Sequence, residues 1–168
     1  MGARLHGRSR RDVVAPVTAQ LRAYRFPAGT RFEGGVVGAL ERMELEAGDL
    51  LDALFVLRDP DTGAVDAIDL ATGGAGGSIA AMLDFRLDAA RRKRFTERTR
   101  RPHAGGVPAP LIDAVGAALG PGEAVLELLV TRWPGDLEQA VERSGGRLVA
   151  AEWVQANRLG DLRRSLPS

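Results

Sequence analysis

The sequence predicts an α+β fold, on three observations. Two apolar runs, Leu50–Leu57 and Ala124–Thr131, have the length and near-continuous hydrophobicity of strands buried on most of both faces. Apolar residues at helical spacing precede the first run and follow the second. Turns marked by glycine and proline divide the chain at the points where one pattern gives way to another.

The elements follow in order. Residues 1–12 hold Arg4, Arg8, Arg10 and Arg11 with hardly any apolar periodicity, so they are read as a flexible basic tail outside a single domain of residues 13–168. From Val17, the residues Val17, Ala19, Leu21 and Ala23 alternate with Thr18, Gln20, Arg22 and Tyr24, which predicts a first strand with one buried face. Thr30 and Glu33 have capping-box spacing, and Val36, Leu40 and Met43 then predict a helix that Gly48 stops. Leu50–Leu57, interrupted by Asp52, is the second strand. The turn Asp59-Pro60-Asp61-Thr62-Gly63 sends Ala64–Leu70 back antiparallel as an edge strand guarded by Asp66 and Asp69.

A helical insertion then occupies about 72–120. The run Thr72-Gly73-Gly74-Ala75-Gly76-Gly77 links to a helix from Ser78, whose stripe of Ile79, Met82, Leu83, Leu87 and Ala90 ends where Arg91-Arg92-Lys93-Arg94 begins. A loop from Arg101 to Pro110 and a short helix Leu111–Leu119 complete it. After the strand Ala124–Thr131, Trp133-Pro134-Gly135 leads into a helix capped by Asp136, with Leu137, Ala140 and Val141 inward. Ser144-Gly145-Gly146 ends it, Arg147–Val154 is the last strand, and Leu159, Leu162 and Leu166 mark a C-terminal amphipathic turn or two.

Two β-α-β units side by side predict a ferredoxin-like sheet with helices on one face and the hairpin strand extending its edge. On this alternation the other face carries Tyr24, Leu54, Val56 and Leu129 beside Asp52 and Glu127. That face is too apolar for water, so either the inserted helices or a second subunit is expected to cover it.

Composition narrows the function classes. The 168 residues are 45% hydrophobic and 27% charged, with a net charge of +1. Zero cysteines exclude disulfides, thiolate chemistry and cysteine-held metals. Arginine replaces lysine almost everywhere, Lys93 being the only lysine, which points to a GC-rich genome. With no apolar stretch of about 20 residues, a bacterial cytoplasmic location is expected.

The turns Leu119-Gly120-Pro121-Gly122-Glu123-Ala124, Trp133-Pro134-Gly135-Asp136-Leu137 and Gly145-Gly146-Arg147-Leu148-Val149, with the Asp59–Gly63 hairpin, resemble an uncharacterised bacterial family of small α+β proteins. The resemblance spans about Val17 to Val154 in layout and implies a fold without an activity. Some relatives in that family carry a glycine-rich membrane-inserting section between their two halves. Here Gly73–Gly77 stands where that section would begin, but the arginine run that follows cannot cross a bilayer.

No catalytic, cofactor-binding or metal-ligating residue is identified. The glycine run 73–77 lacks the Gly-x-x-x-x-Gly-Lys-Ser/Thr spacing of a phosphate loop and reads as a connector. His6 and His103 have no partner at ligand spacing, and Ser144 is a helix-end residue without a nucleophile motif. Asp52, Asp66 and Asp69 would line one site only if the hairpin gathers them. Trp133 and Trp153 are expected in or beside the core.

Charge is the strongest remaining signal. Residues 41–69 hold nine acids against two arginines, net −7, and residues 86–101 hold eight basic residues against Asp88 and Glu97, net +6. The plain reading is a pair of patches that partly compensate one another. The function these features favour is a non-enzymatic homo-oligomeric binding or scaffold protein, with Tyr24, Leu54, Val56 and Leu129 as the candidate interface. A competing reading gives Arg91, Arg92, Lys93, Arg94, Arg98, Arg100 and Arg101 an anionic partner, nucleic acid or a membrane surface. A third is an enzyme of unrecognised type using the glycine loop. No cofactor or small-molecule ligand is implied.

Overall fold

The computed structural model describes residues 18–32, 35–45, 50–69, 89–102, 107–132 and 135–155. Among these, the strands are β1 (Thr18–Phe26), β2 (Leu50–Arg58), β3 (Val65–Asp69), β4 (Ala124–Val130) and β5 (Arg147–Gln155). The helices are α1 (Gly35–Leu45), α2 (Ala89–Arg100), α3 (Ala109–Ala118) and α4 (Gly135–Arg143). The strands form one antiparallel sheet in the order β3-β2-β4-β1-β5. Because β1 and β2 both pair antiparallel with β4, they run parallel to each other with β4 between them. In the same way β4 and β5 flank β1. The two β-α-β segments are therefore interleaved rather than side by side.

The two central strands are buried on both faces, as their continuous apolar runs require. Leu126, Leu128 and Val130 of β4 and Phe55 and Leu57 of β2 face α1 and α4 in the larger core, with Val36, Leu40, Leu137 and Val141. Each large side chain fully buried there contributes about 1.5–3 kcal/mol. Three phenylalanines set the packing edge to face: Phe26 and Phe32 lie 4.6 Å apart between centroids, and Phe32 and Phe55 lie 5.7 Å apart. On the opposite face, Leu54, Val56 and Ala67 are covered by Ile112 and Leu119 from α3 and its C-terminus and by Val107. The inserted section thus supplies the cover for this part of the sheet.

Local chemistry explains the breaks. Asp52 interrupts the β2 run at an irregularity where Leu51 is squeezed out of register with β4, and its carboxylate accepts the Ala53 amide at 2.8 Å. The α4 C-terminus closes with two bonds, Gly146 N–H to the Val141 carbonyl and Gly145 N–H to the Glu142 carbonyl. Gly145 sits at φ 78°, the left-handed conformation this closure needs.

Several expectations are corrected. Thr30 is not a helix cap: α1 starts at Gly35, and the Thr30 hydroxyl donates to the Pro27 carbonyl within a turn. Asp136 lies in the first turn of α4, not before it, and bonds Arg42 of α1 at 2.7 Å. The arginine run lies within a helix, α2, that continues to Arg100, beyond the point where the apolar stripe was expected to end. Tyr24 belongs to the core beneath α1 and α4, on the face opposite Leu54, Val56 and Leu129. Its register with Leu126 puts it there, because the face of β1 that begins with Gln20 and Arg22 becomes aromatic towards Phe26. Trp153 is 70% exposed instead of packed in the core. Glu33, Gly48, Gly73–Gly77, the stripe from Ser78 to Leu87, Trp133, the basic tail and the C-terminal turn lie outside the described residues.

Candidate functional site

Helix α2 reaches its place through polar groups. Its sequence, AARRKRFTERTR, has good helix formers but almost no apolar stripe, and its buried residues are Thr96 and Thr99. Both hydroxyls accept backbone amides of the edge strand β3, Thr96 from Ala67 at 3.0 Å and Thr99 from Asp69 at 3.4 Å. A sheet edge whose outward N–H groups would otherwise call for another strand is thereby closed by side chains.

The two charged patches meet at the same junction. Arg92 donates to Asp66 at 3.1 Å and to Asp59 at 3.2 Å, and Arg100 donates to Asp113 of α3 at 2.7 Å. Arg98 stacks over Phe95 at 4.9 Å from the ring centroid. Arg92 and Arg100, named as candidates for an anionic partner, are therefore tied to the chain's own acids. Arg91, Lys93, Arg94, Arg98 and Arg101 are exposed. The pKa values of the hairpin acids are shifted in opposite directions. Amides of Thr62 and Asp61 hold the Asp59 carboxyl below its ordinary value, with Arg92 adding to the effect. Burial pushes Asp66 above its ordinary value, and Arg92 offsets part of that.

The hairpin also forms one wall of a cleft of about 310 Å³ at the end of the sheet. Phe32, Leu57 and Ala124 line its apolar part, the turns Pro27–Thr30 and Asp59–Asp61 its sides, and Arg92 and Gly122 complete it. Its polar groups serve the fold. One oxygen of Asp59 accepts the Asp61 and Thr62 amides at 2.9 and 2.8 Å, and the other accepts Arg92. Among the described residues, no group of three or more His, Asp or Glu could hold a metal ion, and no serine, histidine and carboxylate are assembled in the cleft. Asp52, Asp66 and Asp69 do not converge on it. Asp52 caps its own irregularity, while Asp69 is 2% exposed beside α2.

The four residues read as an interface are inside the chain. Tyr24, Leu54, Val56 and Leu129 are 2%, 2%, 0% and 1% exposed. Leu129 packs with Ala19 and Val154, and burial pushes the Tyr24 hydroxyl above its ordinary pKa against the opposing effect of Arg22. The exposed apolar residues are elsewhere. Leu148, Val149 and Trp153 stand 47%, 51% and 70% exposed on β5, which among the described residues pairs with β1 alone. This site was missed at the level of sequence because Trp153 was expected in or beside the core by residue type. The available signal was topological: the last strand of two interleaved β-α-β segments lies at a sheet edge.

His6 and His103 and the glycine loop lie outside the described residues. Among those described, no helix is long and apolar enough to cross a membrane. No protein-family profile, curated protein or solved structure matches the chain.

Proposed function

We propose that the chain is a non-enzymatic, homo-oligomeric binding or scaffold protein with a ferredoxin-like fold, related to the uncharacterised bacterial family that its turns resemble and working in the cytoplasm. The fold reading is supported by the strand order, which becomes β2-β4-β1-β5 when the hairpin strand β3 is set aside. The absence of cysteine supports a reducing compartment.

The observation that carries self-association is the β5 edge. It is nine residues long, free of proline and lysine, and presents Leu148, Val149 and Trp153 to solvent. Long apolar edges of this kind pair with other chains unless they are covered. Light scattering at tens of micromolar tests the reading. A salt-resistant dimer or larger assembly supports it, and a strict monomer refutes it.

A second reading rests on the exposed cations of α2, to which nucleic acid or an anionic membrane surface would bind. Its mark is binding to mixed nucleic acid or anionic vesicles at low salt that is lost at high salt. Absence of binding at low salt removes it. The enzyme reading through residues 73–77 gains no support from the polar groups of the cleft, which are bonded to one another.

A further inference from the structure

The charges on β5 are arranged so that the strand is complementary to itself. Arg147 lies opposite Arg25 of β1 and Glu152 lies opposite Leu21, and Arg25 and Leu21 share one face of β1. Between them the register slips at Ala23/Tyr24, where Val149 is the extra residue of β5. Arg147 and Glu152 therefore share a face although they are five positions apart, an odd number that would place them on opposite faces of a regular strand. By the same count Leu148, opposite Tyr24, shares the other face with Trp153, opposite Gln20. Arg147 and Glu152 are both exposed, and among the described residues neither forms an ion pair. Within its own chain Arg147 exerts a minor electrostatic effect on Glu123, whose carboxylate is already bonded by Arg25.

We propose that β5 pairs antiparallel with β5 of a second copy about a two-fold axis normal to the sheet, so that Arg147 faces the partner's Glu152 and Glu152 faces the partner's Arg147. This rests on the self-association reading and specifies its surface and register. Antiparallel pairing about such an axis keeps each face on its own side, so only residues that share a face can stand opposite one another. The Arg147–Glu152 register meets that condition: Leu148 then stands against the partner's Ala151, on the face beneath which Tyr24 lies. Trp153 falls one step past the partner's Arg147 and lies diagonal to the partner's Leu148, close enough for an aromatic ring to cover it. The two most exposed apolar side chains of that face are buried together. A register centred on Ala151 would instead set Arg147 against Gln155 and Glu152 against Ala150, matching no charge.

The test uses charge reversal on the full chain, with dimer dissociation measured by sedimentation or light scattering and folding checked by circular dichroism. Arg147→Glu and Glu152→Arg alone each place like charges opposite one another twice, and each is expected to weaken the homodimer roughly tenfold or more. An equimolar mixture of the two variants restores complementary pairs and is expected to form a heterodimer near wild-type affinity. The double exchange Arg147→Glu with Glu152→Arg is expected to recover the homodimer. If the wild-type chain is a monomer, the self-association reading itself fails. If it is a dimer that neither single variant weakens, or if the mixture and the double exchange fail to restore it, self-association stands and this register is overturned.

Discussion

The Thr96 hydroxyl accepts the backbone N–H of Ala67 at 3.0 Å while donating to the Arg92 carbonyl one turn back on its own helix, so a single side chain joins α2 to the outer edge of β3. Thr96 is 8% exposed and Ala67 is fully buried, which leaves no water to replace the acceptor. Thr96→Val keeps the shape and removes the acceptor. It is expected to cost about 1–3 kcal/mol, the penalty of a buried unpaired amide, whereas Thr96→Ser should remain close to wild type. Urea denaturation of the two variants separates these outcomes.

Arg92→Met removes the cation shared by Asp59 and Asp66. With the three side chains 13–25% exposed, the expected loss at neutral pH is about 1–2 kcal/mol, less than for a fully buried pair. The loss depends on pH in a defined direction. Without Arg92, the carboxyl of Asp66 titrates still further above its ordinary value, so its penalty is present above that folded pKa and disappears as the pH falls through it. Denaturation at neutral and mildly acid pH should show the variant recovering towards wild type on acidification, and Asp66→Asn in the same background should recover part of the loss at neutral pH.

Gly116 of α3 lies so close to β3 that a Cβ there would stand 2.5 and 2.7 Å from the two methyl carbons of Val65. Gly116→Ala is therefore expected to destabilise by about 1–3 kcal/mol despite the higher helix propensity of alanine. Val65→Ala makes room, so the two substitutions together should cost less than the sum of their separate costs. A double-mutant cycle read by denaturant titration measures that coupling.

Among the described residues, three carboxylates are held below their ordinary values and are expected to make the fold acid-sensitive: Asp59 by the Thr62 and Asp61 amides, Glu123 by Arg25 and the Gly120 amide, and Asp136 by Arg42. A depressed folded pKa contributes stability that is present above the ordinary values of 3.8 and 4.5 and is lost as the pH falls through the folded ones. Thermal midpoints are expected to be level above about pH 5 and to fall below about pH 4. Asp66 acts with the opposite sign and softens the upper end of that fall.

What the sequence disclosed depended on apolar periodicity. The strands β2 and β4 and the helices α1 and α4 were legible because their inward residues are leucine, valine and phenylalanine at regular intervals. Helix α2 was not, since it buries Thr96 and Thr99 and is held by Arg92 and Arg100, so its contacts leave no hydrophobic stripe to read. Strand β1 gave its position but not the setting of Tyr24. Both of its faces are covered, and alternation alone does not say which side a tyrosine joins. The compensation between the acidic and basic segments was legible as charge arithmetic, and only the structure shows that Arg92 and the hairpin acids realise it. The exposure of Trp153 is a property of the strand order, which no single segment encodes.

The side chains that close β3 also limit how far an assembly can grow. A sheet with two open edges is bivalent and propagates by strand addition into a filament. With Thr96 and Thr99 accepting the outward amides of Ala67 and Asp69, β5 is the edge left for strand addition among the described residues, and under the proposed β5 pairing a unit with a single attachment point would terminate growth as soon as two copies had met. Under that proposal the threonines of α2 would act as a chain terminator, separating a closed pair from an open polymer.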